Sequence, residues 1–117
     1  FTYPDSSLLG KTITDFPLIN HKGVRTQLID LVSGEFNLLS FFDGHIPEIE
    51  EINIIQIVEK TINEFTYVDI DGLGKRRYKK GYHYLIRPDS YIIGIFEDVD
   101  EKVILSYIAE QIVSNAN

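Results

Sequence analysis

The stretch Tyr82-His83-Tyr84-Leu85-Ile86-Arg87-Pro88-Asp89-Ser90-Tyr91-Ile92-Ile93-Gly94-Ile95-Phe96-Glu97 decides the fold. It reads as two strands joined by a tight turn at Arg87-Pro88-Asp89-Ser90. Both arms are rich in β-branched and aromatic residues, which suit a pleated, half-buried surface. Pro88 pre-sets φ for the second turn position, and Asp89 and Ser90 are good turn formers. The ribbon fixes a register but carries no chemistry by itself.

Around it, the totals limit what the chain can be. A length of 117 residues, 44% of them hydrophobic, suits one packed domain. No apolar run approaches the ~20 residues that span a bilayer, and no basic-then-apolar signal segment opens the chain. With 11 basic and 18 acidic residues, the formal net charge is -7. That balance argues against general nucleic-acid binding, which needs a basic face, and against anionic membranes. There is no cysteine, so disulfides, thiolate metal sites and thiol nucleophiles are excluded. A cytoplasmic location is the default expectation. There is no methionine either, and the sequence opens at Phe1, so the expectation is a domain cut from a longer polypeptide.

Working back along the chain, residues 1–9 look like an entry linker and residues 10–117 like one domain. Phe16-Pro17-Leu18-Ile19 suggests a short edge strand, because Pro17 has no N–H to give a second neighbour. Asn20-His21-Lys22-Gly23 is a turn, Val24-Arg25-Thr26 a returning strand, and Leu28 to Val32 about one helical turn. Phe36-Asn37-Leu38-Leu39-Ser40-Phe41-Phe42 reads as a central strand covered on both faces. Ile49, Ile52, Ile55, Val58, Ile62 and Phe65 recur at helical spacing, so a helix is expected over residues 47–65, with Pro47 at its first position and glutamates in its first turn. The β-branched run Ile52, Ile54, Ile55, Ile57, Val58 points locally the other way. Residues 66–70 form a strand, and the basic stretch 73–81 a loop. Asp98 with Glu101 three residues on is a capping box for a last helix striped by Ile104, Ile108 and Ile112, and residues 114–117 are expected to fray. The result is an α/β fold with a mixed sheet of four or five strands and helices on both faces.

That order is similar to the thioredoxin-like one. Residues 10–31 also resemble the lead-in of peroxiredoxin-type relatives, whose thiol would fall at Phe42-Asp43-Gly44-His45, where this chain has none. Nor does a proline precede the Tyr82 strand, where redox thioredoxins place one. Leu28-Ile29-Asp30-Leu31-Val32-Ser33-Gly34-Glu35-Phe36-Asn37-Leu38-Leu39 resembles the pattern LLDLLG-x-GFTLL, and Tyr84-Leu85-Ile86-Arg87-Pro88-Asp89-Ser90-Tyr91-Ile92 resembles LVRPDGYV. In this order and near this spacing, the pair resembles the C-terminal thioredoxin-like domain of FAD-dependent aromatic hydroxylases, the phenol hydroxylase-type flavoprotein monooxygenases, over roughly residues 10–112. Ser90 stands where that pattern has glycine, so the turn is expected to keep out of the glycine-favoured backbone region. The resemblance implies a domain that binds no cofactor itself and has no catalytic, cofactor-binding or metal residue. FAD and NAD(P)H would belong to the parent monooxygenase, the catalytic FAD domain of the same polypeptide would be the partner, and a homodimer is possible. Gly72-Leu73-Gly74-Lys75 is too short for a flavin fingerprint, and Arg76 rules out a P-loop.

Three groups of residues invite sharper readings. Asp43, His45, Glu48, Glu50 and Glu51 follow the central strand, where α/β folds often bind ligands. They could form an acid/base pair or metal site, but a solvated turn and acidic helix start is preferred. Lys75, Arg76, Arg77, Lys79 and Lys80, with Tyr78 among them, could meet an anion or acidic partner, and a solvated loop is preferred. Tyr67, Tyr78, Tyr82, Tyr84 and Tyr91 could line a contact surface, although strand tyrosines are more often half core and half surface. His21 and His83 read as a turn residue and a strand-face residue without ligand roles. The expected function is a redox-inactive structural or dimerisation domain of an FAD-dependent aromatic monooxygenase. The alternatives are a free-standing thioredoxin-like interaction module and, last, a small enzyme built on Asp43, His45 and the nearby glutamates.

Overall fold

A computed structural model describes residues 6–32 and 34–115; residues 1–5 of the expected linker, Ser33, and residues 116 and 117 of the expected frayed end lie outside them. The elements are β1 (Pro17–Ile19), β2 (Arg25–Gln27), α1 (Leu28–Leu31), β3 (Phe36–Ser40), β4 (Ile52–Ile57), β5 (Thr66–Asp69), α2 (Leu73–Arg77), β6 (His83–Ile86), β7 (Ile92–Phe96) and α3 (Glu101–Asn115). All seven strands join one mixed sheet in the order β2-β1-β5-β4-β3-β6-β7, which replaces the expected four or five.

β3 is central, as its apolar run requires. It pairs parallel with β4 on one side and antiparallel with β6 on the other. β6 and β7 form the expected hairpin, with His83 opposite Phe96 and an irregularity between Leu85 and Ile86. Its turn closes through Ser90 N–H donating to the Arg87 carbonyl at 2.8 Å. The Arg87 guanidinium forks onto Asp89, with Nε to Oδ1 and Nη2 to Oδ2 both at 2.7 Å. Its Nη1 donates to Gln111 Oε1 of α3 at 2.9 Å, so the turn also sets where the last helix lies. The Asp89 hydrogen bond raises the Arg87 pKa, and the same bond lowers that of Asp89.

Several expectations fail for identifiable reasons. Residues 47–65 do not form a helix: residues 52–57 are β4. Its β-branched residues suit a strand, and pairing with β3 supplies backbone partners that local spacing does not reveal. The expected stripe disperses, Ile49 and Ile52 packing on one sheet face, Ile55 on the other, and Ile62 and Phe65 exposed. β1 is not an edge strand. It lies between β2 and β5, and Pro17 is tolerated because it starts the strand, with its carbonyl accepting from Ile70 N–H at 3.4 Å. Residues 73–77 wind into α2, where the loop was expected. The cap of α3 is Asp100 rather than Asp98: Asp100 Oδ1 accepts from Lys102 and Val103 N–H at 3.0 and 3.3 Å. Leu8, within the expected linker, is buried, and Gly10 N–H donates to the Ile92 carbonyl at 2.8 Å.

The sheet carries a core on each face. One contains Phe16, Leu18, Leu39, Phe41, Ile55, Tyr78 and Tyr84. Its aromatic centre is tight, the Tyr78 ring lying 5.4 Å from Phe41 and 5.0 Å from Tyr84. Both hydroxyls are satisfied there, accepting from Thr14 N–H at 3.0 Å and Lys79 N–H at 2.8 Å respectively. Burial raises the Tyr78 pKa. The other core joins Leu38, Ile46, Ile49, Ile52, Leu85, Phe96 and Ile104.

Ser90 has φ 73°, in the left-handed region, contrary to the expectation that the substitution for glycine would keep the turn out of it. An L-residue costs about 1 kcal/mol there. Ser90→Gly is therefore expected to stabilise the fold by about 1 kcal/mol in urea unfolding, and an unchanged or lower midpoint would count against this account of the turn.

Candidate functional site

The candidate site lies beside β3 and β4, where residues 41–51 run back from the end of one strand to the start of its parallel neighbour. Parallel neighbours usually connect through a helix. Here the return is made without one: Phe41 anchors its start in one core, and Ile46 and Ile49 anchor it in the other. The backbone is locked at its start, where Phe41 N–H donates to the Tyr82 carbonyl at 3.1 Å and Gly81 N–H to the Phe41 carbonyl at 2.7 Å. Gly44 lies against the Phe42 ring so closely that an added Cβ would come within 2.5 Å of it. The ring itself packs edge-on to His83 at 5.3 Å.

Gln56 holds the loop from β4. It is nine-tenths buried, and its Nε2 donates to the Phe42 and Gly44 carbonyls at 2.6 and 2.8 Å. No signal in the sequence singles it out, because its role depends on where two distant carbonyls fall.

The return leaves a concavity of about 780 Å³, lined by Asp43, His45, Glu48 and Glu50 at its rim and by Ile54, Gln56, Ile62 and Phe65 among its walls and floor. Of the expected acidic cluster, Asp43, His45, Glu48 and Glu50 therefore come together. Glu51 does not: it has φ 69° and faces a separate depression with Glu35, Phe36 and Pro88. Glu101, from the start of α3, joins the rim unforeseen by sequence proximity. The rim side chains are exposed, and among the described residues no three His, Cys, Asp or Glu side chains are grouped to hold a metal ion. The cluster offers negative charge rather than a positioned acid/base pair.

The other candidates separate. Lys75 and Lys80 meet acidic residues of the chain itself, Glu59 at 3.4 Å and Asp43 at 3.9 Å, both exposed pairs of small energy. Arg76, Arg77 and Lys79 are exposed around the end of α2, where cations suit the macrodipole. Tyr78 and Tyr84 are core residues, Tyr67 and Tyr82 half-buried, and Tyr91 exposed beneath the Arg87 guanidinium at 5.2 Å. His83 lies in β6 as expected, on a buried face of the strand, and its Nδ1 shares a hydrogen bond of 2.7 Å with the buried Ser40 Oγ. Burial lowers its pKa, and the field of Asp98 opposes that in part.

No family model matches the chain, and no curated protein matches it by sequence. Solved structures do match. A pneumococcal exposed lipoprotein thioredoxin, Etrx1 from Streptococcus pneumoniae strain TIGR4, superposes with TM-score 0.59 at 15% identity, over 83% of this chain and 99% of that one. The fold is thioredoxin-like. The flavin-dependent monooxygenase PieE, in complex with FAD and substrate, superposes with TM-score 0.64 at 19% identity, over 93% of this chain and 20% of that one. Aklavinone-11 hydroxylase, in a ternary complex with FAD and aklavinone, does so with TM-score 0.57 at 13% identity, over 82% of this chain and 19% of that one. The chain thus spans about a fifth of each flavoenzyme. No helix among the described residues is long and apolar enough to cross a membrane.

The buried histidine makes stability depend on pH with a definite sign. The folded pKa lies below the unfolded value near 6.5, so the unfolded chain binds the proton first as pH falls. The contribution is complete above about pH 6.5 and is lost as pH drops towards the folded value. Urea midpoints are expected to decline through this window, and His83→Gln is expected to flatten that decline; an equal slope in the variant would assign it to other groups.

Proposed function

We propose that this chain is a structural domain of an FAD-dependent aromatic-ring monooxygenase, packing on the catalytic body and lacking redox chemistry of its own. The observation that carries the reading is the superposition of nearly the whole chain on a fifth of a flavin-dependent monooxygenase. The paired patterns at residues 28–39 and 84–92 point the same way. A thiol role is removed by composition, since a thioredoxin-like scaffold without cysteine has no nucleophile for disulfide exchange. In the parent, FAD and NAD(P)H would serve the hydroxylation and be bound elsewhere in the polypeptide. This domain's work would be to bury part of the body's surface and support subunit contacts.

Two measurements test this. Titrated with FAD, the isolated 117-residue chain is expected to show no saturable change in flavin fluorescence, and micromolar or tighter binding would overturn the division of labour. Antibodies to this domain, used on its native source, are expected to recover a longer polypeptide carrying about one flavin per chain. Recovery of a chain of this size alone would favour a free-standing interaction module instead.

A further inference from the structure

The concavity beside β4 is more than the gap left by a short connection. It is open on a sheet face that parallel strands ordinarily keep covered. Ile62 and Phe65 stand at its edge 74% and 43% exposed. Glu101 lines it from α3, and Glu101, Leu105, Ile108 and Ile112 follow one another at helical spacing along one face of that helix. Leu105 and Ile112 are 41% and 62% exposed, while Ile108 is half-buried against the core. Beyond Glu101 the apolar part of this face, Leu105 to Ile112, runs for about two turns, roughly 10 Å, along α3. Taken with the concavity at its start, that length suits a segment of chain rather than a small molecule.

Charge says what kind of segment. Asp43, Glu48, Glu50 and Glu101 rim the open end, with His45 the one basic side chain beside them. Among the described residues, Asp43 alone of these carboxylates forms an ion pair, with Lys80 at 3.9 Å. On the floor, Gln56 spends its amide nitrogen on the Phe42 and Gly44 carbonyls.

We propose that this groove docks a basic amphipathic helix of a protein partner, with apolar side chains on Ile54, Phe65 and Leu105 and lysines or arginines at the acidic rim. The chemistry of the groove does not rest on the function proposed above; only the partner's identity does, since on that reading the helix belongs to the flavoprotein's catalytic body.

The test uses the 117-residue chain and a fluorescein-labelled 18-residue peptide with leucines at i, i+3, i+4 and i+7 and lysines on the flanks. A twin carries glutamates in place of the lysines. Fluorescence anisotropy is expected to show saturable binding of the lysine peptide, at least tenfold tighter than of its twin and weakening with salt. Ile62→Asp with Leu105→Asp is expected to weaken it tenfold or more, and Glu48→Lys with Glu50→Lys to invert the preference. The same charge change at Asp30→Lys with Asp71→Lys is expected to leave the preference in place. Equal affinity for the two peptides, no binding, or full binding by the Asp variants with an unchanged circular dichroism spectrum would overturn the proposal. So would sedimentation showing that the chain self-associates through Ile62, which would make a second copy the occupant. If the Asp variants do not fold, the exposed charge-reversal pair decides. Failure here with a flavin-bearing long polypeptide recovered from the source would sink the groove and leave the functional reading standing.

Discussion

The pairing of β3 with β4 without an intervening helix is the constraint from which the rest of this molecule follows. Residues 36–40 lie opposite residues 52–56 in parallel register, so the chain must leave one end of the sheet and return to the other within residues 41–51. A helix would fill that path and cover the face beneath it. An extended return held by Ile46, Ile49 and the Gln56 amide covers only part of it. Most of the acidic rim, Asp43, Glu48 and Glu50, lies on this connection, and Ile62 and Phe65 of the next one stand exposed beside the space it leaves.

The opposite face is built differently. There Phe16, Phe41, Tyr78 and Tyr84 interlock, and α2 sits so close that a Cβ on Gly74 would meet the Phe16 ring at 2.6 Å. Lys75 N–H donates to Asp69 Oδ2 at 3.0 Å, fixing the start of this short helix to β5. A dense aromatic face and a partly open one lie on opposite sides of one sheet: the first is closed by its own side chains, and the second is left partly uncovered.

How much of this was legible in the sequence depended on whether the deciding interaction was local. The hairpin could be read because Pro88 and Asp89 carry their turn chemistry with them, and β3 because seven residues of nearly unbroken apolar character leave little else. α1 was legible for the same reason. β4 was not, since isoleucines every third residue satisfy a helix as well as a strand, and only the edge of β3 chooses between them. The place of β1 inside the sheet is likewise a matter of sheet order, which Pro17 alone cannot state. Within the site, Asp43 to Glu50 could be grouped by proximity in the chain, whereas Gln56 and Glu101 enter through contacts that sequence distance conceals. His83 looked like an ordinary strand residue because its partner, Ser40, is brought to it by register alone.

The two margins of the sheet also differ in a way that bears on how the molecule behaves in a crowded solution. β2 ends one margin after three residues and carries Arg25 outward, a poor template for a foreign strand. At the other margin, Lys11 and Ile13 cross the start of β7: the Ile92 N–H donates to the Lys11 carbonyl at 2.9 Å, and Ile13 N–H to the Ser90 carbonyl at the same distance. The residues around Lys11 thus act as a hem on the fabric. Clipped away by a protease, they would uncover unpaired amides beside an isoleucine-rich strand, and the trimmed molecules would be drawn into edge-to-edge stacking of the kind that begins a fibril.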